Sequence, residues 1–231
     1  MTDISENLNI VHERIDSAAA RAGRKGSDIK LVCVSKTVPS ERVMEAYDAG
    51  ENAFGENRVQ EYLEKSRKMP ENIDWHIIGR LQTNKVKYII KNVYLLHSLD
   101  RLNLAEELQK ELEKNDSCMD VLIQVNTAKE DTKAGFMPEE FLSSAEAISA
   151  MDRIKVRGIM TVAPFTDDTD LLKEVFDETF QMFERLKKEN FDNSDIKWLS
   201  MGMSGDYELA IEHGANMVRV GSAIFGARSY L

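Results

Sequence analysis

Along almost the whole chain, short apolar runs alternate with longer stretches in which apolar residues recur every three or four positions. Runs of the first kind suit buried strands, and stretches of the second kind turn one apolar stripe of a helix toward a sheet. Eight strand candidates can be counted, near Lys30–Ser35, Asn52–Gly55, Trp75–Gly79, Val93–His97, Asp120–Asn126, Val156–Val162, Ile196–Met201 and Met217–Gly221. Between them lie patterns such as Leu171, Leu172, Val175, Phe176, Phe180, Phe183 and Leu186, whose spacing makes a core-facing helix. Such alternation marks repeated βα units and a parallel sheet. Eight strands with short returns favour a closed (β/α)8 barrel of the TIM type over a doubly wound open sheet. Ahead of the first strand, Ile4, Leu8, Val11, Ile15 and Ala18 predict an extra N-terminal helix over Ile4–Arg21 that covers one end of the barrel, with Gly23 and Gly26 as its stop. No Pro/Gly/Ser-rich linker or low-complexity block interrupts the rhythm, so residues 1–231 read as a single domain.

Composition narrows the class. The 231 residues approach the length of about 250 typical of α/β barrels, and 42% hydrophobic residues with only 4 prolines provide for a core. The first thirty residues lack the apolar block of a signal peptide, and no stretch nears the roughly 18 apolar residues of a membrane span. A cytoplasmic protein without a membrane partner is expected. Cys33 and Cys118 are far apart within apolar strand candidates and read as small buried residues rather than a disulfide. With 40 acidic against 30 basic residues, the formal charge of -10 opposes attraction to phosphate backbones, so nucleic acid is not an expected partner. The segment Thr83 to Lys91 is a local basic exception; its lysines interleave with apolar residues at helical spacing and read as a solvated face, with a docking role as the alternative. His12, His76, His97 and His213 include no pair at the spacing that suits zinc, and no metal site is expected.

Candidate chemistry collects after the strands. Lys36 ends the run Ile29 to Lys36 just before Thr37-Val38-Pro39-Ser40, where Pro39 and Ser40 mark a turn and the cap of a helix beginning near Glu41. A lysine at the carboxyl end of a parallel strand stands where α/β proteins keep their chemistry; the alternative is a lysine that buries its stem and keeps its head in water. Ser200 to Asp206 follows the seventh strand and leads into a helix over Tyr207–Glu212, with Ser204 as N-cap and Asp206 in the first turn. Val218 to Ala223 ends the eighth strand in a Gly221-Ser222 step, which offers close backbone approach, a hydroxyl and free N–H groups to an anion. Loops after strands seven and eight are where barrels most often hold phosphate. Ser204 as a mere cap and Gly221 as a mere turn are the alternatives. Arg219 within an apolar strand needs a partner, because an always-charged guanidinium is rarely buried alone. An amine, a phosphate cradle and this arginine together fit pyridoxal 5′-phosphate, whose aldehyde would meet Lys36 and whose phosphate would meet Ser204, Gly221 and Ser222. A free lysine of pKa ~10.4 is almost wholly protonated at neutral pH, so such a site must favour the neutral amine or trap the imine.

Several segments carry a resemblance: Val34-Ser35-Lys36, Phe54-Gly55-Glu56-Asn57, Trp75 to Lys85, Gly158-Ile159-Met160-Thr161, Leu199 to Ser204, and Val218 to Arg228. They resemble the pyridoxal phosphate homeostasis proteins over essentially the entire chain. The resemblance implies a (β/α)8 barrel similar to the amino-terminal domain of bacterial alanine racemase. It also implies a covalent internal aldimine of pyridoxal 5′-phosphate at Lys36, with Ser204, Gly221 and Ser222 near the phosphate and Arg219 facing the pyridine nitrogen. An arginine there does not readily give up a proton, so the ring becomes a weaker electron sink. Asn57 is expected to touch the cofactor from the loop after strand two. His76 is expected on the barrel floor by strand alternation, a hydrogen-bonded core histidine being the alternative. Met160 and Thr161 are expected to add a wall, and Ser200 joins the cofactor-binding set.

The departure from alanine racemase also matters. That enzyme has a second, mostly β domain, and its partner subunit supplies a tyrosine as the opposing acid/base. Here the chain stops at Leu231, soon after strand eight, and only Lys36 is nominated as a proton carrier, whereas two-base racemisation needs carriers on both faces of the substrate carbon. The implied function is therefore a carrier without catalytic residues. It would hold pyridoxal 5′-phosphate reversibly, serve its homeostasis and pass it to apo-enzymes, as a monomer or weak dimer. A racemase or another Schiff-base enzyme is the alternative.

Overall fold

The short apolar runs become eight strands, buried except for most of β7: β1 (Lys30–Val34), β2 (Ala53–Glu56), β3 (Asp74–Ile77), β4 (Val93–Leu99), β5 (Met119–Val125), β6 (Ile154–Thr161), β7 (Ser194–Ser200) and β8 (Met217–Val220). The computed structural model describes residues 3–130 and 132–226, and in it every strand pairs in parallel with the next while β8 pairs with β1. The barrel is therefore closed, which removes both sheet edges. The closing register sets Val32 opposite Arg219 and Cys33 opposite Val220.

Alternation along the strands divides their side chains between two cores. Val32, Ala53, Leu95, Leu122, Met160 and Met217 point inward and form a small cluster of their own. Their neighbours Cys33, Phe54, Leu96, Ile123, Ile159 and Val218 point outward and join the larger core beneath the helices. Those helices are α1 (Ile4–Arg21), α2 (Ser40–Asp48), α3 (Val59–Ser66), α4 (Leu102–Lys114), α5 (Phe141–Ser149), α6 (Thr169–Lys188), α7 (Tyr207–Glu212) and α8 (Ser222–Phe225). Among the described residues, no helix is long and apolar enough to cross a membrane.

The leading helix has the bounds its periodicity predicts, and Asp3 caps it by accepting the N–H groups of Ser5 and Glu6. Its position differs from the expectation. α1 packs against α2, α7 and α8, with the Asn7 amide donating to the Ile224 carbonyl at 2.8 Å, so it belongs to the outer ring rather than to one end of the barrel. The reason is the shortness of α8: four residues do not cover the seam between β8 and β1. The basic segment after β3 forms 3₁₀ turns over Thr83–Tyr88 rather than an α-helix. Pro39, not Ser40, occupies the N-cap of α2 and gives no side-chain cap. Both cysteines are free, but only Cys33 is buried; Cys118 is exposed just before β5.

Gly158 shows how tightly β6 and β7 are joined. Its φ of 147° is one that side chains disfavour, and a Cβ there would lie 1.8 Å from the Trp198 carbonyl oxygen. By contrast, nothing lies within 4 Å of a Cβ built on Gly205. Gly158→Ala is expected to destabilise the fold by more than about 3 kcal/mol in urea titrations, while Gly205→Ala stays within about 1 kcal/mol of the parent.

Candidate functional site

Strand parity carries Val32 and Val34 to the barrel interior, and Lys36, two residues further on, rises from the same face at the carboxyl-terminal rim. There it lines a cavity of about 340 Å³. Beside β1, across the closing seam, the rim contributes Met203, Ser204 and Asp206 after β7, and Arg219, Gly221 and Ser222 at the end of β8. Pro164, Phe165 and Asp167 after β6 make the outer wall, with the Phe165 ring fully exposed.

The backbone around Lys36 is held from both sides by α3. The Lys65 ammonium donates to the Ser35 carbonyl and pairs with Glu56, each at 2.6 Å, and the Ser35 hydroxyl donates to the same carboxylate at 2.6 Å. On the other flank the Thr37 N–H donates to Glu61 at 2.8 Å. Thr37 has a φ of 62°, a left-handed conformation that costs a non-glycine residue roughly 1–3 kcal/mol. The Glu61 contact opposes that cost and fixes the direction in which Lys36 leaves the strand. Glu56 is wholly buried, and its second oxygen has no partner. Burial raises its carboxyl pKa from 4.5 to about 7, with Lys65 and Ser35 pulling the other way.

Arg219 reaches the cavity from within the barrel. It is 4% exposed, donates to the Ser200 hydroxyl at 2.6 Å and to the Thr161 carbonyl at 2.8 Å, and forms no ion pair among the described residues. Burial lowers its pKa to about 10, the Asp206 carboxylate acting in the opposite sense. The guanidinium thus remains charged at neutral pH, and the neutral oxygens that hold it leave that charge available to the cavity. Below it a chain of contacts descends along the barrel. The Ser200 hydroxyl lies 3.1 Å from Nδ1 of His97, whose Nε2 lies 2.8 Å from Nδ1 of His76. Burial depresses both imidazoles, His76 to about 3, so both are neutral at pH 7 and add no charge against Arg219. The spacing of 21 residues between the two histidines gave no sign that they touch; only the pairing of β3 with β4 does.

Ser204 does something other than the expected capping. Asp206 occupies the N-cap of α7, without a side-chain cap. The Ser204 hydroxyl oxygen instead accepts the N–H groups of Gly221 at 3.1 Å and Ala223 at 3.4 Å, tying the loop after β7 to the end of β8. With its oxygen so engaged, the hydroxyl proton is free to donate outward. A Cβ at Gly221 would lie 3.1 Å from the Val34 carbonyl oxygen, so glycine allows the closing strands to meet here. Of the residues expected at the site, Lys36, Ser204, Arg219, Gly221 and Ser222 share the cavity. His76, Met160 and Ser200 are buried in the layer beneath it. Asn57 lines a separate cavity with Arg58 and Arg80. Ala227 and Arg228, which close the last motif, lie outside the described residues. The Ser35–Glu56–Lys65 cluster was missed; an acid ending β2 and a lysine nine residues on were its faint signal.

Comparison with known proteins places this geometry in context. A family model described as alanine racemase, N-terminal domain, matches residues 7–229. The chain is 45% identical over 226 residues to the pyridoxal phosphate homeostasis protein of Aquifex aeolicus, covering 97% of this chain and 98% of that one. It is 38% identical to the protein of the same name in Escherichia coli, covering 100% and 99%. Among solved structures, PipY of Synechococcus elongatus with PLP bound superimposes with a TM-score of 0.83 at 29% identity, covering 96% of this chain and 100% of that chain. An alanine racemase of Clostridium difficile shares the fold with a TM-score of 0.77 at 17% identity, and the chain matches 56% of its length.

Because the folded pKa of Glu56 lies above its unfolded value, this group stabilises the fold at low pH, and that contribution is lost as the pH rises through about 7. The unfolding free energy of the parent minus that of Glu56→Gln, measured in urea, should therefore fall as the pH is raised from about 5 to about 8; a flat or rising difference would remove the protonated carboxyl from the folded state.

Proposed function

The chain belongs to the family of the pyridoxal phosphate homeostasis proteins, with the barrel of the alanine racemase N-terminal domain, and on that footing we propose that it holds pyridoxal 5′-phosphate in the cavity beside Lys36. The single observation that carries this reading is the convergence of Lys36, Arg219 and the Ser204–Gly221–Ser222 cradle on one cavity of about 340 Å³. An amine, a fixed cation and an outward-donating hydroxyl match the three polar features of this cofactor, its aldehyde, ring nitrogen and phosphate. PipY, solved with PLP bound, supports the same reading.

When bound, the cofactor supplies an aldehyde that condenses reversibly with a primary amine and expels water. Lys36 gives that amine, with Ser35 and Thr37 clamped so that its side chain is presented at the rim. The Ser204 hydroxyl, the Gly221 backbone and Ser222 hold the phosphate. Arg219 faces the ring nitrogen and keeps its own proton there, because a guanidinium of pKa about 10 is a poor acid at neutral pH. Ser200, His97 and His76 keep Arg219 in place from below, and Met160 fills the floor between strands; Asn57 stands outside this set. Within the cytoplasm the protein would serve as a reversible store that releases the cofactor to apo-enzymes, with little or no turnover. The cavity lining among the described residues offers one amine and the carboxylates of Asp167 and Asp206 but no tyrosine such as alanine racemase uses, and on that ground we favour a holder over a two-base racemase. Steady racemisation of an amino acid by the purified protein would reverse that preference.

Lys36→Ala is expected to abolish the visible absorbance after incubation with pyridoxal 5′-phosphate and the mass adduct fixed by borohydride; persistence of both would move the linkage to another lysine. Arg219→Gln should shift the visible maximum and its pH profile while the far-ultraviolet dichroism is unchanged, and an identical spectrum would take Arg219 off the ring nitrogen.

A further inference from the structure

A second cavity opens on the same rim, at the ends of β2, β3 and β4, and shares no lining residue with the first. It measures about 540 Å³, within the range of roughly 300–1,000 Å³ usual for small-molecule sites. Its walls come from Asn57 and Arg58 after β2, Arg80 and Lys85 after β3, and Arg101 after β4. A Cβ at Gly79 would stand 2.5 Å from the Asn57 carbonyl oxygen, so the first two of these loops are packed hard against each other.

In a chain of net charge -10, the lining of this cavity holds four cations and no carboxylate. Asp100 lies beneath, with its side chain 1% exposed; it pairs with Arg80 at 3.1 Å and with Arg101, whose second arm donates to the Leu81 carbonyl at 2.9 Å. Arg58 and Lys85 form no ion pair among the described residues, and Glu61 nearby is turned to the Thr37 N–H. Val59 and Gln60 add the first turn of α3, which begins without a side-chain cap. We infer that this cavity is a binding site for a small molecule carrying two or more phosphoryl groups, gripped by the guanidiniums of Arg58 and Arg80, with Lys85 and the anchored Arg101 adding positive charge. Planar forks match phosphate oxygens two at a time, and a diphosphate carries close to the three charges that four cations over one carboxylate leave unbalanced. A nucleic acid is disfavoured, since the surrounding surface of a chain with net charge -10 repels a long polyanion while a small one fits inside the concavity.

Inorganic pyrophosphate titrated into the full chain at low ionic strength tests the inference by calorimetry, with amide NMR shifts to locate the site. Saturable binding is expected, with shifts at Val59 and Gln60, an affinity at least tenfold weaker in the Arg58→Gln/Arg80→Gln variant and unchanged in Ser204→Ala. Both arginines are exposed, so folding should survive; should the double variant melt early, Arg58→Gln alone is expected to weaken binding at least threefold. Absence of saturable heat, undiminished affinity in these arginine variants, or loss in Ser204→Ala with shifts confined to Ser204–Ser222 would each overturn it. Because pyrophosphate bears no aldehyde, the result is independent of whether Lys36 carries a cofactor.

Discussion

Closure of the barrel between β1 and β8 is the constraint on which the rest depends. Residues 36 and 219 are remote in sequence, and nothing but the pairing of the first strand with the last brings their rims together. Parallel closure also sets polarity, so all eight strands deliver their following loops to one face. At the seam the fit is close: glycine at 221 lets the β8 backbone pass the Val34 carbonyl, and the Ser204 hydroxyl bridges to the N–H groups that follow. With α8 only four residues long, α1 completes the helical ring beside this seam. The N-terminal helix thus supports the site indirectly, by burying the outer side of the strands that form it.

Two buried polar systems flank the cavity and solve different problems. Outside the strands, Lys65 and Glu56 pair in the apolar layer under α3 and use their hydrogen bonds to hold the Ser35 main chain. A buried pair of this kind is weak evidence for stability, because desolvation offsets attraction, but it fixes geometry. Inside the barrel, Arg219 is held by neutral acceptors rather than a carboxylate, and the histidines below are kept uncharged by burial. The first system positions an amine and the second preserves a positive charge. α3 contributes to both rim cavities, with its first turn lining one and Glu61 and Lys65 bracketing Lys36 beside the other.

The eight strands and the first helix were legible because their signals are local: short apolar runs for the strands, and apolar recurrence every three to four residues with glycines after it for the helix. Lys36 and Arg219 stood out for a related reason, each being a cation where an apolar strand leaves no ordinary place for one. Ser204 lines the cavity but does not form the helix cap expected of it, since a serine shortly before a helix looks like a cap whether or not it bonds to another strand. Asn57, expected to touch the cofactor from the same rim, lines the neighbouring cavity and packs against Gly79.

By itself the sequence determined the order and type of the elements and which strands are followed by candidate chemistry. The tertiary structure alone decided which rim residues share a cavity, that His76 meets His97, and that Ser35, Glu56 and Lys65 form one cluster. The physical reason is range: periodicity and capping act within a few residues of backbone, whereas hydrogen-bond partners and desolvation depend on strand register and closure, which no local pattern encodes.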